Sequence, residues 1–170
     1  SDLTRKEYIS IFPGSRKNEI LTHLEQILIA FTSLKIQYKL AIVAVEKHFN
    51  LIKSIADKFK KNLFITLVVD VKKVSIFKSS FAAIAVSGTI TLELALHKVP
   101  FFTVYKLNYL SYLILKSMVF SKYITLVNII FNKKVVEELI QSDFNIINIK
   151  KNLKLLIDNK STYINQITYF

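Results

Sequence analysis

The apolar residues of this chain alternate between two spacings. Tyr8 to Phe12 is a short run of β type, and after it Ile20, Leu24, Ile27, Leu28 and Phe31 recur at the spacing of one helix face. The alternation then repeats. A β-branched run from Leu40 to Val45 precedes Phe49, Ile52, Ile55, Ala56 and Phe59 at helical spacing, and Leu63 to Val69 is a third apolar run. A short helix with Val74 and Phe77 is predicted next, followed by a strand from Phe81 to Val86, a Ser87-Gly88-Thr89 turn and a helix that Pro100 ends. Phe101 to Tyr105 reads as another strand. Beyond it the pattern is mostly helical, through Leu110 to Phe120, Val135 to Gln141 and Ile146 to Ile157. Strands that are apolar at nearly every position have no face to offer water. Separated by helices, they predict an α/β fold, a Rossmann-like parallel sheet with helices on both faces. No internal repeat, linker or Pro/Gly-rich segment divides residues 1–170, so a single domain is expected.

The hydrophobic fraction of 52% and mean hydropathy of +0.37 raise the question of a membrane span. No apolar stretch reaches the roughly 18 residues a spanning helix needs. Phe101 to Phe120 comes nearest and is broken by Lys106, Asn108 and Lys116, which suits a buried or interfacial helix. The first residues, including Asp2, Arg5, Lys6 and Glu7, lack the apolar segment of a signal peptide. Without cysteine the chain offers neither disulfides nor thiolate metal sites, which fits a cytoplasmic setting.

A net charge of +12 would suit nucleic acid if the cations were clustered. They are dispersed instead, as the pairs Lys60-Lys61, Lys72-Lys73, Lys133-Lys134 and Lys150-Lys151. A solvated Lys-rich surface is the first reading and attraction to an anionic membrane surface the second; no nucleic-acid partner is expected. Tyr105, Tyr109, Tyr112 and Phe120, interleaved with Lys106 and Lys116, are either core residues or one side of an interfacial amphipathic helix. His23, His48 and His97 show no ligand spacing and are expected at the surface, so no metal is predicted. Ser87 lacks a nucleophile elbow and any assigned His/Asp partners, which argues against a hydrolase triad.

Rarity makes two positions informative. At the usual ~7% a chain of this length would hold about a dozen glycines, but this one has only Gly14 and Gly88. Each follows an apolar run and precedes a helical pattern, in "ISIFPGSRKNEI" and "AAIAVSGTITLELAL". Glycine suits a positive φ or a close approach, so two tight strand-to-helix turns are predicted, both at carboxyl ends of parallel strands, where open α/β sheets bind ligands. In the first, Pro13-Gly14-Ser15-Arg16, Ser15 is read as the N-cap, with Arg16 and Lys17 in the first helical turn. Cations there oppose the helix dipole unless an anion compensates. Open backbone N–H groups and a guanidinium fork describe a phosphate or diphosphate site; surface pairing of Arg16 with Glu19 is the competing reading. In the second, Leu92 stands where a capping box from Thr89 needs Glu or Gln, and the carboxylate comes at Glu93. One turn above Thr89 on the same face, Glu93 is suited to accept from ribose hydroxyls. A solvated helix glutamate is its alternative.

These segments, "IFPGSRKNEI", "AVSGTITLELAL.KVPFFTVYK" and "YITLVNII......VVEELIQ", resemble the nucleotide-binding half of lipid-A-disaccharide synthases. Those glycosyltransferases have a two-Rossmann-domain, GT-B type, architecture. The resemblance implies transfer of diacylglucosamine from its UDP-activated form to diacylglucosamine 1-phosphate, releasing UDP without a metal or organic cofactor. It implies that Arg16 meets the donor diphosphate, with Ser87, Gly88 and Thr89 nearby, and that Glu93 meets the ribose. Asn128 matches the Asn of a Pro-Asn pair in the family, with Val127 in place of the proline, and is expected to face the same pocket. The family's chains are longer, so residues 1–170 correspond to the donor half. The acceptor surface and general base then belong to an N-terminal half absent here, or supplied as a separate chain. The implied partners are the UDP-sugar and a lipid acceptor, and the implied location is peripheral at the cytoplasmic side of a Gram-negative inner membrane. A noncatalytic remnant, or a basic membrane-surface protein keeping the fold, is the alternative.

Overall fold

In a computed structural model describing residues 6–35, 38–108, 111–114, 121–158 and 160–170, the alternation becomes one six-stranded, all-parallel sheet. Its strands are β1 (Tyr8–Phe12), β2 (Lys39–Ala44), β3 (Phe64–Val69), β4 (Ser80–Val86), β5 (Phe101–Tyr105) and β6 (Glu138–Ile140), in the spatial order β3-β2-β1-β4-β5-β6. The helices are α1 (Lys17–Ser33), α2 (Phe49–Asp57), α3 (Lys73–Ser79), α4 (Ile90–Leu96), α5 (Leu126–Phe131), α6 (Ile146–Asp158) and α7 (Lys160–Tyr169). Residues 111–114 are also helical.

Alternate strand residues feed two cores. Ile9, Ile11, Leu40, Ile42 and Ile84 pack with Leu24 and Ile27 of α1, Ile52 of α2 and Leu153 of α6 on one face. Ala41, Val43, Ala83 and Ala85 pack with Phe77 of α3, Leu94 of α4 and Val127 of α5 on the other. This double burial explains why the central strands read as continuous apolar runs. Even Ser10 of β1 is fully buried, and its hydroxyl donates to the Ala82 carbonyl at 3.4 Å. Burying a Leu, Ile or Phe side chain contributes roughly 1.5–3 kcal/mol. With Ile20, Leu24, Ile27, Leu28 and Phe31 all fully buried, α1 is held chiefly by this packing.

Some local expectations change. Val135 to Gln141 reads as helical because of the helix-favouring pair Glu137-Glu138. In the fold Glu138–Ile140 is the edge strand β6, with Leu139 paired to Val104 of β5. Val136 and Leu139 become buried there, and that packing outweighs the local preference. The helix before Pro100 stops earlier, at Leu96. Lys98 turns left-handed (φ 52°), and the N–H groups of Lys98 and Val99 return to the Ala95 and Leu94 carbonyls at 2.9 and 3.0 Å. Tyr105 belongs to β5 and is not on a helix, while Tyr109, Lys116 and Phe120 lie outside the described residues. Among the described residues no helix is long and apolar enough to cross a membrane.

Candidate functional site

The chain adds β2 and β3 on one side of β1, then returns to place β4 on the other, so the strand order reverses between β1 and β4. Connections leave the two strand ends in opposite directions and open a crevice at their carboxyl edge, the usual ligand position in such sheets. A cleft of about 420 Å³ lies there, lined by both glycine turns: Pro13, Gly14, Ser15 and Arg16 from one, Ser87, Gly88 and Thr89 from the other, with Glu93 of α4. A larger hollow of about 1060 Å³ lies beside residues 106–108 and 140–143, among Leu107, Tyr112, Ile124 and Ile140. It is the more voluminous but holds neither glycine turn, so the candidate chemistry sits in the smaller cleft.

Gly14 is left-handed (φ +99°), and a Cβ there would stand 2.5 Å from Glu19 Oε2. Glu19 comes so close because its carboxylate folds back over the turn. Oε2 accepts from the N–H groups of Ser15 at 3.0 Å and Arg16 at 3.2 Å, and Oε1 accepts from Arg16 Nη1 at 3.0 Å. Ser15 is therefore not the N-cap. Arg16 takes that position in extended geometry (φ −108°, ψ 145°), and Glu19, three residues on, supplies the capping carboxylate. The Ser15 and Arg16 N–H groups are engaged, so the expected open donors are not open there. The Arg16–Glu19 surface pairing is present, but with the arginine side chain 77% exposed such a pair contributes at most about 1 kcal/mol. A more highly charged anion can compete for the guanidinium.

The second turn has a different basis. Gly88 is not left-handed, and a Cβ there would meet nothing within 4 Å. The backbone reason expected for this glycine is thus absent; among the described residues the other left-handed positions are filled by Lys35, Lys98, Asn132 and Gln141. What Gly88 leaves is open space in the cleft. Thr89 holds the N-cap position of α4 in αR geometry without a capping bond (φ −59°, ψ −26°). The Thr91 hydroxyl fastens the turn instead, donating to the Gly88 carbonyl at 2.7 Å.

Glu93 reaches the cleft as expected but is not solvated alone. Lys73 Nζ lies 3.1 Å from its Oε1 and 3.0 Å from its Oε2, and 3.7 Å from Asp70 Oδ1. Burial alone would lower the Lys73 pKa. The Glu93 hydrogen bond and the charges of Asp70 and Glu93 outweigh it, and the net shift is upward. Lys73, Asp70 and Glu19 all line the cleft, and the sequence reading singled out none of them as ligands. Lys73 was hidden in one of many lysine pairs, although Asp70 directly after a strand was an available signal. α3 brings Lys73 there because it crosses back from β3 to β4.

The family model described as lipid-A-disaccharide synthetase matches residues 2–169. The chain belongs to the lipid-A-disaccharide synthase family. Lipid-A-disaccharide synthase of Rickettsia conorii is 34% identical over 158 residues, covering 88% of this chain and 34% of that protein. The enzyme of the same name from Acinetobacter baylyi is 32% identical over 176 residues, covering 97% of this chain and 44% of its own length. That from Rickettsia bellii is 32% identical over 160 residues, covering 91% and 41%. The chain thus spans between a third and under half of these relatives.

The family resemblance sends Asn128 to the same pocket, but the structure does not bring it there. Asn128 is fully buried in the corner between α5 and β6. Nδ2 donates to the Val136 carbonyl at 2.8 Å and Glu138 Oε1 at 3.0 Å, while Oδ1 accepts from the Val135 and Val136 N–H groups, each at 2.8 Å. With both ends of the amide engaged, Asn128 acts as a clamp that sets β6. Among the described residues no cluster of His, Asp or Glu suits a metal ion.

His23 is another correction, since it is fully buried rather than superficial. Its Nδ1 lies 2.6 Å from the Glu19 carbonyl, and Nε2 lies 2.9 Å from the Lys106 backbone N–H. The second contact requires Nε2 to accept, so the neutral ring donates from Nδ1. Burial lowers its pKa; the Glu19 carbonyl and charge oppose this, and the Lys106 charge assists it. The folded pKa then lies below the unfolded value of about 6.5, so the unfolded chain binds the proton more readily. The stabilisation is fully present above the unfolded pKa and is lost as pH falls through the folded one. Urea midpoints at pH 5, 6, 7 and 8 are expected to fall below pH 7 in the wild type, and to fall less in His23→Gln.

Proposed function

We propose that this chain is the donor-binding half of a lipid-A-disaccharide synthase, a hexosyltransferase of lipid A biosynthesis. The observation that supports it best is the meeting of the Gly14 and Gly88 turns, the Arg16 guanidinium and the Glu93 carboxylate in one cleft at the strand-order reversal. In this reading Arg16 hydrogen-bonds the diphosphate of UDP-diacylglucosamine, Ser87, Gly88 and Thr89 surround it, and Glu93 accepts from the ribose hydroxyls. A hydroxyl of diacylglucosamine 1-phosphate displaces UDP from the anomeric carbon with inversion. Charge builds on the departing diphosphate as the bond breaks, and Arg16 stabilises it. No side chain of the cleft is assigned as general base. That role and the acceptor surface fall to the remainder of the family's chain, in the same polypeptide or a separate one. Lipid substrates place the reaction at a membrane surface, the +12 charge suits attraction to an anionic leaflet, and the family resemblance implies the cytoplasmic side of a Gram-negative inner membrane.

Calorimetry with UDP and an assay for disaccharide formation test the reading together. UDP binding without turnover is the expected result. Turnover by this chain alone would overturn the half-site assignment, and no UDP binding would favour a noncatalytic remnant.

A further inference from the structure

The charges of the cleft do not balance for an anionic ligand. Arg16 and Lys73 face three carboxylates there: Glu19, Asp70 and Glu93. Like unit charges about 5 Å apart repel by roughly 3 kcal/mol at an effective dielectric near 20. A diphosphate beside a ribose held by Glu93 would meet that repulsion unless a cation stood between them. Arg16 sits at the mouth of the cleft on the opposite turn and is engaged through Nη1 with Glu19. Lys73 is more enclosed, its side chain 26% exposed, and it is already in contact with Glu93. An ammonium carries three N–H donors; Glu93 engages Lys73 through both carboxylate oxygens, Oε1 at 3.1 Å and Oε2 at 3.0 Å, which occupies at most two of them. Asp70, at 3.7 Å, is an ion-pair partner beyond hydrogen-bond range.

We infer that Lys73 is a second cationic ligand of the diphosphate, bridging it to Glu93 and so coupling the phosphate and ribose ends of the nucleotide site. This rests on the nucleotide-binding reading above. Glu93 and Asp70 hold the ammonium at the cleft, and its remaining donor capacity serves the phosphate oxygens while the Glu93 contact persists. Lys73 thereby offsets the repulsion between the ribose-binding carboxylate and the diphosphate, which Arg16 on the far turn cannot do alone.

A ligand series read by calorimetry tests this on the 170-residue chain, using uridine, UMP and UDP. Lys73→Met should weaken UDP about tenfold or more and UMP less, and leave uridine within about twofold. Lys73→Gln, which can still donate to Glu93, should show the same gradation, and Lys73→Arg should recover most of the UDP affinity. Lys72→Met, at the exposed neighbouring residue, should change none of the three. Equal losses for uridine, UMP and UDP would show that Lys73 only props Glu93, and unchanged UDP affinity would remove it from the site; either overturns the inference while leaving the nucleotide reading intact. Failure of the wild type to bind UDP would overturn the nucleotide reading and this inference with it.

Discussion

Arg16→Lys is expected to weaken UDP binding about tenfold or more and to leave uridine binding almost unchanged. Lysine keeps the charge and still suits the exposed contact with Glu19, so the thermal midpoint should match the wild type. What it loses is the planar fork that can grip two phosphate oxygens at once. A hydrogen bond to a charged group contributes about 1.5 to 3 kcal/mol, which corresponds to that change in affinity. Uridine lacks the diphosphate and should not register the change. Glu93→Gln should show the opposite signature, reducing UDP and uridine binding alike, because both carry the ribose. Equal losses for the two ligands in the Arg16 variant, or undiminished UDP affinity, would mean that this arginine serves only its pair with Glu19.

Asn128→Ala should be the most destabilising of these substitutions, by roughly 2 kcal/mol or more. Removing the amide takes the acceptor from the buried Val136 N–H and the donor from the Val136 carbonyl, while the Val135 N–H keeps the Lys133 carbonyl at 3.0 Å. Each buried polar group left without a partner costs about 1 to 3 kcal/mol. Glu138 loses one donor but still accepts from Ile124 and Thr125 N–H groups, at 3.2 and 2.7 Å, so the damage centres on the approach to β6. Urea unfolding would read the loss directly. UDP affinity measured on the folded fraction should stay close to wild type. A variant that keeps its stability but no longer binds UDP would return Asn128 to the nucleotide pocket.

Spacing alone was enough to read β1 through β5, α1 and the helical course of α6, because their apolar runs keep a clear period, even in the edge strand β3, which leaves Phe64 exposed while β1, β2, β4 and β5 bury most of theirs. Continuous apolar strands also required helices on both faces. The candidate site was legible to the extent that scarcity marks it: two glycines and Arg16 stand out in a Lys-rich chain, and Glu93 stands out by missing the capping-box position. Other features depended on contacts between residues distant in sequence. β6 is a strand because β5 offers an edge to pair with, against the helix preference of Glu137 and Glu138. Asn128 is a clamp because β6 passes it, and His23 is buried because the Lys106 backbone closes over the ring. Glu19 turns back onto its own loop, which engages the N–H groups expected to remain open and explains Gly14 by a steric demand. Lys73 enters the cleft only because the strand order reverses and α3 must cross from β3 to β4. Periodicity records which face of an element is buried; which charges meet across a cleft is decided by the order in which the strands assemble.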